Sequence, residues 1–202
     1  MLGAILAFFY SIKAHQTMVC FYVIIRSMSI ENYKPDFLLQ AVYQLDAESL
    51  KRHQIHAVLV DLDNTLTAWN NREGTDEMRA WLEEMKATNI KIVVVSNNNY
   101  ARVKRAVERF DVAFISRAMK PFDTGIKKAL TLVDEKPEHV IMVGDQLMTD
   151  IRAAKRAGIR SVLVKPLVES DAWNTKVNRA RERRVWRKLI EKYGEPEWQN
   201  AI

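Results

Sequence analysis

An apolar run that ends in two aspartates is the feature that constrains this chain most strongly. Residues 58–60 are Val-Leu-Val, Asp61 and Asp63 follow at once, and a turn reaches Thr67. Such a run predicts a strand buried on both faces of a parallel sheet. Because an unpaired buried carboxylate is costly, the aspartates are expected at the carboxyl end of the strand, where α/β sheets bind ligands. Two converging carboxylates suit a hard cation such as Mg²⁺, although the same pair is also common in turns and helix N-caps.

Other apolar segments predict further strands, and segments of helical periodicity separate them. The predicted strands are residues 55–60, 90–95, 112–115, 140–143 and 161–164. The predicted helices between them are residues 75–88, a segment that ends near residue 110, 124–133 and 150–157. Residues 33–50 also carry apolar side chains at helical spacing, which predicts a helix beginning near Pro35 and a second one at residues 46–50. This alternation predicts an α/β fold with a parallel five-stranded sheet and helices on both faces.

Polar side chains follow four of the predicted strands. They are Asp61 and Asp63 after the first strand, Ser96 and Asn97 after the second, Lys120 beyond the third, and Asp145 after the fourth, with Asp150 opening the next helix. The carboxyl ends of parallel strands share one edge, so these groups are expected to face one crevice. Carboxylates can hold Mg²⁺, a lysine and a hydroxyl suit a phosphate, and a carboxylate can attack phosphorus to form an aspartyl-phosphate.

Three of these residues also have structural explanations. Ser96 and Asp150 are both suitable N-caps for the helices that follow them, and Lys120 is compatible with a solvated loop.

The spacing of the motifs limits what can cover the crevice. Between Asp63 and Ser96 there is room for a short flap and one helix, and between Ser96 and Lys120 for a helix and a strand. Neither interval can hold a separate cap domain. An uncapped crevice is open and can accept a phosphate carried by a large molecule.

Taken in order, these motifs resemble those of the haloacid dehalogenase (HAD) superfamily across residues 55–165. The matching elements are Asp61-Leu-Asp63-Asn-Thr65, the strand-end Ser96, Lys120 and Gly144-Asp145-x4-Asp150. Over residues 30–190 the chain further resembles the YqeG family of HAD subclass IIIA, which is related to phosphatidylglycerophosphate phosphatases. The elements that carry this resemblance are Ser96-Asn-Asn, residues 144–150 and Lys165-Pro-Leu-Val-Glu-Ser-Asp-Ala-Trp-Asn-Thr-Lys. The resemblance implies a HAD-like Rossmannoid fold without a cap domain.

The resemblance also implies roles for the catalytic residues. Asp61 is expected to be the nucleophile and a Mg²⁺ ligand. Asp63 is expected to act as the general acid/base and to bind the metal through its backbone carbonyl. Two carboxylates are needed because one group cannot attack phosphorus and donate a proton at the same time. Lys120 is expected to bind the phosphoryl group and to offset the charge of Asp61.

The remaining motif residues are implied to bind substrate and metal. Ser96 and Asn97 are expected to contact the phosphoryl group, Asp145 to bind the metal, and Asp150 to orient the metal ligands.

The implied reaction is Mg²⁺-dependent hydrolysis of a phosphomonoester through an aspartyl-phosphate, converting phosphatidylglycerophosphate to phosphatidylglycerol. Two alternatives stay open: a phosphatase for a soluble or nucleic-acid phosphate ester, and an RNA- or ribosome-associated binding protein. The presence of both Asp61 and Asp63 counts against a pure binding protein.

The chain divides into an apolar extension, a capless domain and a basic tail. The boundaries are expected at residues 1–30, 31–168 and 169–202. The apolar runs of the extension are shorter than the roughly 20 residues of a spanning helix. The extension also lacks the basic start and the cleavage site of a signal peptide. It is therefore interpreted as a weak anchor, a disordered tail or an over-long gene model that truly starts at Met28.

The formal net charge of +6 is unevenly placed along the chain, with basic residues concentrated in part of the tail. Arg and Lys dominate residues 176–192, where only Glu182 and Glu191 oppose them, and Trp and Leu recur at helical spacing. A helix of this kind can lie peripherally on an anionic membrane. The alternatives are an apolar stripe that packs on the chain's own sheet, and contact with nucleic acid, over which a membrane is favoured. The single cysteine, Cys20, allows no internal disulfide, which fits a cytoplasmic protein on the inner face of the membrane.

Overall fold

A parallel sheet forms the centre of the computed structural model, which describes residues 29–67, 75–168 and 176–202. In these residues the sheet has six strands, in the order β1-β6-β5-β2-β3-β4, and every neighbouring pair is parallel. The strands are β1 (Phe37–Leu39), β2 (Ala57–Val60), β3 (Lys91–Val95), β4 (Ala113–Ile115), β5 (Val140–Gly144) and β6 (Arg160–Val164). The expectations for residues 1–28, including a start at Met28, lie outside the described residues.

Helices lie between the strands, and a further helix follows the last strand. They are α1 (Ala47–Arg52), α2 (Asp76–Ala87), α3 (Tyr100–Val107), α4 (Thr124–Val133), α5 (Arg152–Ala157) and α6 (Lys176–Tyr193). Short 3₁₀ turns lie at Ile30–Tyr33, Val42–Gln44 and Pro137–His139, and a π-helical turn at Leu147–Ile151 precedes α5.

The helix ends follow local sequence signals. The Thr75 hydroxyl accepts from the Met78 amide at 3.2 Å and begins α2, as its position before an amphipathic segment predicted. Gly158 ends α5 in the left-handed conformation, with φ of 72°, where a side chain would be strained.

One expected helix is absent from the described residues. The segment that begins near Pro35 forms the edge strand β1 followed by a 3₁₀ turn, so the sheet has six strands instead of the expected five. Pairing with β6 stabilises the strand, and the Asp36 carboxylate fixes the register by accepting from the Ser161 amide at 2.8 Å. Three residues are too few to show a periodicity, so tertiary pairing decided this segment.

The central strand β2 is buried on both faces. Val58 and Val60 pack in one core cluster with residues of α2 and α3, whereas Ala57 and Leu59 pack in a second cluster with residues of α4 and α5. All four side chains are fully buried. This arrangement confirms the fold class and leaves the carboxyl end of β2 as the place for charged groups.

Helix α6 packs its apolar stripe against its own domain. Leu189 is buried with Leu147, Ile151 and Leu163, and the partly buried Val185 and Trp186 join the same cluster. The basic side chains remain exposed, at Arg181, Arg183, Arg184, Arg187 and Lys188. Across the parts of the chain that the structure describes, no helix combines the length and apolarity needed to cross a bilayer.

Candidate active site

The end of β2 places Asp61 at the middle of the sheet edge. The Asp61 amide still donates to the Val143 carbonyl at 2.9 Å, which continues the pairing of β2 with β5. Ser96 follows the neighbouring β3, and Asp145 follows β5. The sheet therefore brings these three predicted residues to one crevice.

Three carboxylates converge in this crevice. One oxygen each of Asp61, Asp145 and Asp150 lies within 4.8 Å of the others. Asp61 and Asp150 are buried, and the Thr65 hydroxyl donates to Asp145 at 3.3 Å. Carboxylate oxygens at this separation suit a hard divalent cation.

Lys120 is buried between two of these acids. Its ammonium nitrogen lies 2.6 Å from Oδ1 of Asp61 and 2.7 Å from Oδ1 of Asp150, and it donates to the Val95 carbonyl at 2.7 Å. Lys120 is therefore part of the crevice and not a solvated loop residue. One ammonium faces three carboxylates, so an excess of negative charge remains that a divalent cation would balance.

Burial and like charges shift Asp61 and Asp145 toward their protonated forms. Burial raises the pKa of Asp61 to about 7, with the Lys120 ammonium opposing this rise and the Asp150 carboxylate adding to it. Burial and the carboxylates of Asp150 and Asp61 also hold the pKa of Asp145 well above its usual value. Although burial opposes its charge, the neighbouring carboxylates of Asp150 and Asp61 raise the pKa of Lys120. A bound cation would therefore favour the ionised forms of Asp61 and Asp145.

The loop after β5 is built around Asp150. Its carboxylate accepts from the Gln146 amide at 3.1 Å, and it lies inside the π-helical turn instead of at a helix N-cap. A Cβ on Gly144 would come within 2.3 Å of the Asp150 carboxyl carbon, so glycine is required there. Asp150 was expected only to orient the metal ligands, yet its carboxylate lies within the acid cluster itself.

Asp63 is partly exposed and lies outside the three-carboxylate cluster. Its carboxylate accepts from the Asn98 side-chain amide and from the Arg102 guanidinium. Sequence reasoning missed both partners. The signal was present, since Asn98 belongs to the Ser96-Asn-Asn motif and Arg102 follows one turn later in α3.

Ser96 and Asn97 both form hydrogen bonds within this crevice. Ser96 is buried, and its hydroxyl accepts from the Asn98 amide at 3.2 Å. It does not cap α3, because Asn99 does so by accepting from the Arg102 amide at 3.0 Å. The Asn97 side chain bonds both backbone groups of Lys120, at 2.9 and 2.8 Å. Asn97 thereby positions the lysine, and contact with substrate stays a prediction.

Helix α6 also reaches the site. The Glu182 carboxylate accepts from the Met148 amide at 3.2 Å, and its charge contributes to the raised pKa of Asp145. In the sequence Glu182 stood out only as a counter-charge in the basic tail.

Comparisons with known proteins agree with this geometry. The model of the haloacid dehalogenase-like hydrolase family matches residues 28–158. The probable phosphatase YqeG of Bacillus subtilis is 36% identical over 167 residues, covering 83% of this chain and 96% of the relative. The ribulose-1,5-bisphosphate 5-phosphatase of Halopiger xanaduensis is 28% identical over 113 residues, covering 52% of this chain and 47% of the relative.

The fold of this chain is also similar to that of a solved structure. It is the cobalt-bound deoxy-D-mannose-octulosonate 8-phosphate phosphatase of Haemophilus influenzae, with a TM-score of 0.47 and 13% identity, covering 69% of this chain and 90% of that chain. The match to the family model spans residues 28–158, which include the three residues of the acid cluster, and the match to the Bacillus relative covers most of the chain. This chain therefore belongs to the haloacid dehalogenase-like hydrolase family, as a phosphatase similar to YqeG.

Proposed function

We propose that this phosphatase hydrolyses a phosphomonoester through an aspartyl-phosphate on Asp61. The observation that carries the proposal is the buried Asp61 carboxylate, held 2.6 Å from the Lys120 ammonium beside the acid cluster. The proposed nucleophile is thus fixed in position, and a positive charge lies where the transferring phosphoryl group must sit.

The proposed reaction has two steps. A carboxylate oxygen of Asp61 attacks phosphorus, the bond from phosphorus to the alcohol oxygen breaks, and Asp63 gives its proton to the leaving alcohol. Asp63 then takes a proton from a water molecule that attacks the phosphorus of the aspartyl-phosphate, which releases phosphate and restores Asp61. Arg102 and Asn98 orient Asp63 for both proton transfers. The Ser96 hydroxyl donates a hydrogen bond to a phosphoryl oxygen.

The residues present fit Mg²⁺. The carboxylates of Asp61, Asp145 and Asp150 are hard oxygen ligands. The Lys120 ammonium compensates one of their three formal negative charges, so a divalent cation would balance the other two. By resemblance, the Asp63 backbone carbonyl joins them. When bound, Mg²⁺ would balance the charge of the phosphoryl group and its nucleophile.

We propose phosphatidylglycerophosphate as the substrate, with phosphatidylglycerol as the product. Two features support a large substrate. The described residues between β2 and β3 form only a loop and α2, and those between β3 and Lys120 form only α3, β4 and loops, so neither part adds a cap. Helix α6 also presents exposed arginines that suit an anionic lipid surface. The second candidate is a smaller phosphate ester, favoured by the match to an enzyme named for ribulose-1,5-bisphosphate.

The metal assignment predicts that chelation abolishes activity. Phosphate release from an aryl phosphate and from phosphatidylglycerophosphate in mixed micelles should fall to background in EDTA and return with Mg²⁺. Mg²⁺ should also raise the melting temperature, because it binds the folded acid cluster. Asp145→Ala should weaken both responses, since it removes one of the three converging carboxylates. Full turnover in EDTA would contradict the metal assignment, and activity on the aryl phosphate without activity on the lipid would favour the second candidate.

The basic face of α6 predicts salt-sensitive binding to anionic vesicles. Because the apolar stripe of α6 packs inward, attraction to the membrane must be mainly electrostatic. Arg181→Glu, Arg184→Glu and Arg187→Glu together should weaken co-sedimentation with anionic vesicles at least about tenfold, since each basic residue near the surface contributes on the order of 1 kcal/mol. The control carries Lys104→Glu, Lys128→Glu and Lys136→Glu, at exposed positions elsewhere. Equal loss in both variants, or binding to neutral vesicles, would count against the membrane contact.

A further inference from the structure

A groove of about 240 Å³ begins at Asp145 and runs beside the carboxyl end of β6. One wall is formed by Leu163 and Lys165, at and just beyond the end of β6. The lining also includes Arg183 and Trp186 of α6 together with Trp198. The groove is therefore continuous with the acid cluster. The proposed reaction gives no role to the other residues that line it.

Contacts between distant parts of the chain fix the residues that line the groove. After α6 the chain returns to the sheet, where the Gln199 amide donates to the Leu38 carbonyl at 2.8 Å. This return sets the Trp198 ring 6.2 Å from the ring of Trp186. On the other side, the Leu167 amide donates to the Asn64 carbonyl at 2.9 Å, which ties the rim to the loop that follows Asp61. The C-terminal segment thus builds a surface next to the reaction centre.

The groove combines an apolar lining with two cations, Lys165 and Arg183, and two carboxylates, Asp145 and Glu182. The Lys165 ammonium lies 4.9 Å from the centroid of the Trp198 ring, which holds the charge above an aromatic face. Arg183 lines the same groove from α6. At the end near Asp145, Glu182 is engaged with the Met148 amide. A molecule that enters from the acid cluster therefore meets positive charge and indole rings farther along.

Its volume limits what can occupy it. At about 240 Å³ it lies below the range of about 300–1,000 Å³ that is typical of pockets for drug-sized ligands. A polar headgroup fits this space, whereas long apolar chains would have to continue outside past Trp186 and Trp198.

We propose that this groove binds the leaving alcohol of the substrate, and that this alcohol carries a second phosphate as an anionic diester. This inference rests on the proposed function. The phosphomonoester lies at the acid cluster, the diester phosphate lies between Lys165 and Arg183, and the remaining groups extend along the tryptophans. When the bond from phosphorus to the alcohol oxygen breaks, the alcohol leaves through the groove with the proton from Asp63. Both a membrane lipid and its water-soluble headgroup have this chemistry.

The test separates the groove from the reaction centre. Lys165→Ala with Arg183→Ala removes both cations at exposed positions, so the fold should persist, as checked by its melting temperature. The matched control is Lys128→Ala with Lys136→Ala, whose positions do not line the groove. The substrates are an aryl phosphate without a second charge, deacylated glycerophosphoglycerophosphate, and the diacyl lipid in micelles.

The groove variant should lose about tenfold or more in kcat/KM on both glycerol substrates, mainly through KM, and keep its activity on the aryl phosphate. The control should match the wild-type protein on all three. A wild-type preference for the diacyl over the deacylated substrate would identify a lipid as the source, and the reverse would identify a soluble ester. Equal losses on the aryl and glycerol substrates, or no loss on either, would overturn the groove assignment.

A binding measurement keeps the inference independent of turnover. Glycerophosphoglycerol, the product alcohol, carries the diester charge and no phosphomonoester. Calorimetric titration should show that the groove variant binds it about tenfold more weakly than the wild-type protein and the control do. If wild-type protein binds this alcohol in the expected way but hydrolyses no phosphomonoester, the proposed function fails and the groove stands. If the wild-type protein and the groove variant bind it equally, the groove assignment fails.

Discussion

Asp61→Asn is expected to lower kcat at least about a thousandfold, the scale on which loss of one member of a catalytic unit acts. The substitution nearly preserves the shape of the side chain and leaves an oxygen near the Lys120 ammonium, which lies 2.6 Å from Asp61. It removes the proposed nucleophile, so no aspartyl-phosphate should form. The measurement is phosphate release from an aryl phosphate with Mg²⁺, together with acid trapping of the phosphorylated protein.

The matched control for this substitution is Asp111→Asn. Asp111 also lies in a described loop, but its side chain is 93% exposed and lies outside the acid cluster. Its φ of 51° is one that asparagine also adopts, so the backbone should not change. The control should keep wild-type turnover. Substantial activity of Asp61→Asn in a preparation free of contaminating phosphatase would refute the covalent mechanism.

Lys120→Met is expected to destabilise the metal-free protein by about 3–5 kcal/mol and to reduce activity to near background. The ammonium lies 2.6 Å from Asp61 and 2.7 Å from Asp150, and its side chain is only 2% exposed. Methionine fills a similar volume but leaves two buried carboxylates without their counter-charge. Urea unfolding in EDTA measures the loss of stability, and the same experiment with Mg²⁺ should recover part of it without restoring turnover.

Two comparisons isolate the cause of that loss. Lys127→Met removes an ion pair of the same length, 2.7 Å to Asp123, but from a side chain that is 66% exposed, so it should cost at most about 1 kcal/mol. Adding Asp150→Asn to Lys120→Met removes one of the uncompensated charges and should recover stability, which a double-mutant cycle would show as coupling. A free energy of unfolding that is unchanged in Lys120→Met would mean that the buried ion pairs do not form in solution.

Much of the architecture was predictable from local patterns in the sequence. Apolar runs such as residues 57–60 can be satisfied only by burial on both faces, and the polar residues that follow them must then lie at the strand ends. That reasoning placed Asp61, Ser96 and Asp145 on one edge of a parallel sheet, where the structure has them. It also predicted the helix that begins after Thr75, because its capping signal lies within a few neighbouring residues.

Only the tertiary structure decided the rest, because the deciding partners lie far apart in the chain. Pairing with β6 made a strand of residues 37–39, which the sequence suggested as helix. The π-helical turn carried Asp150 into the acid cluster, and α3 carried Arg102 to Asp63. The apolar stripe of α6 suited a membrane as well as a protein core, and the cluster around Leu189 determined which one it meets. Periodicity and caps are properties of a few adjacent residues, whereas these contacts depend on how the elements pack.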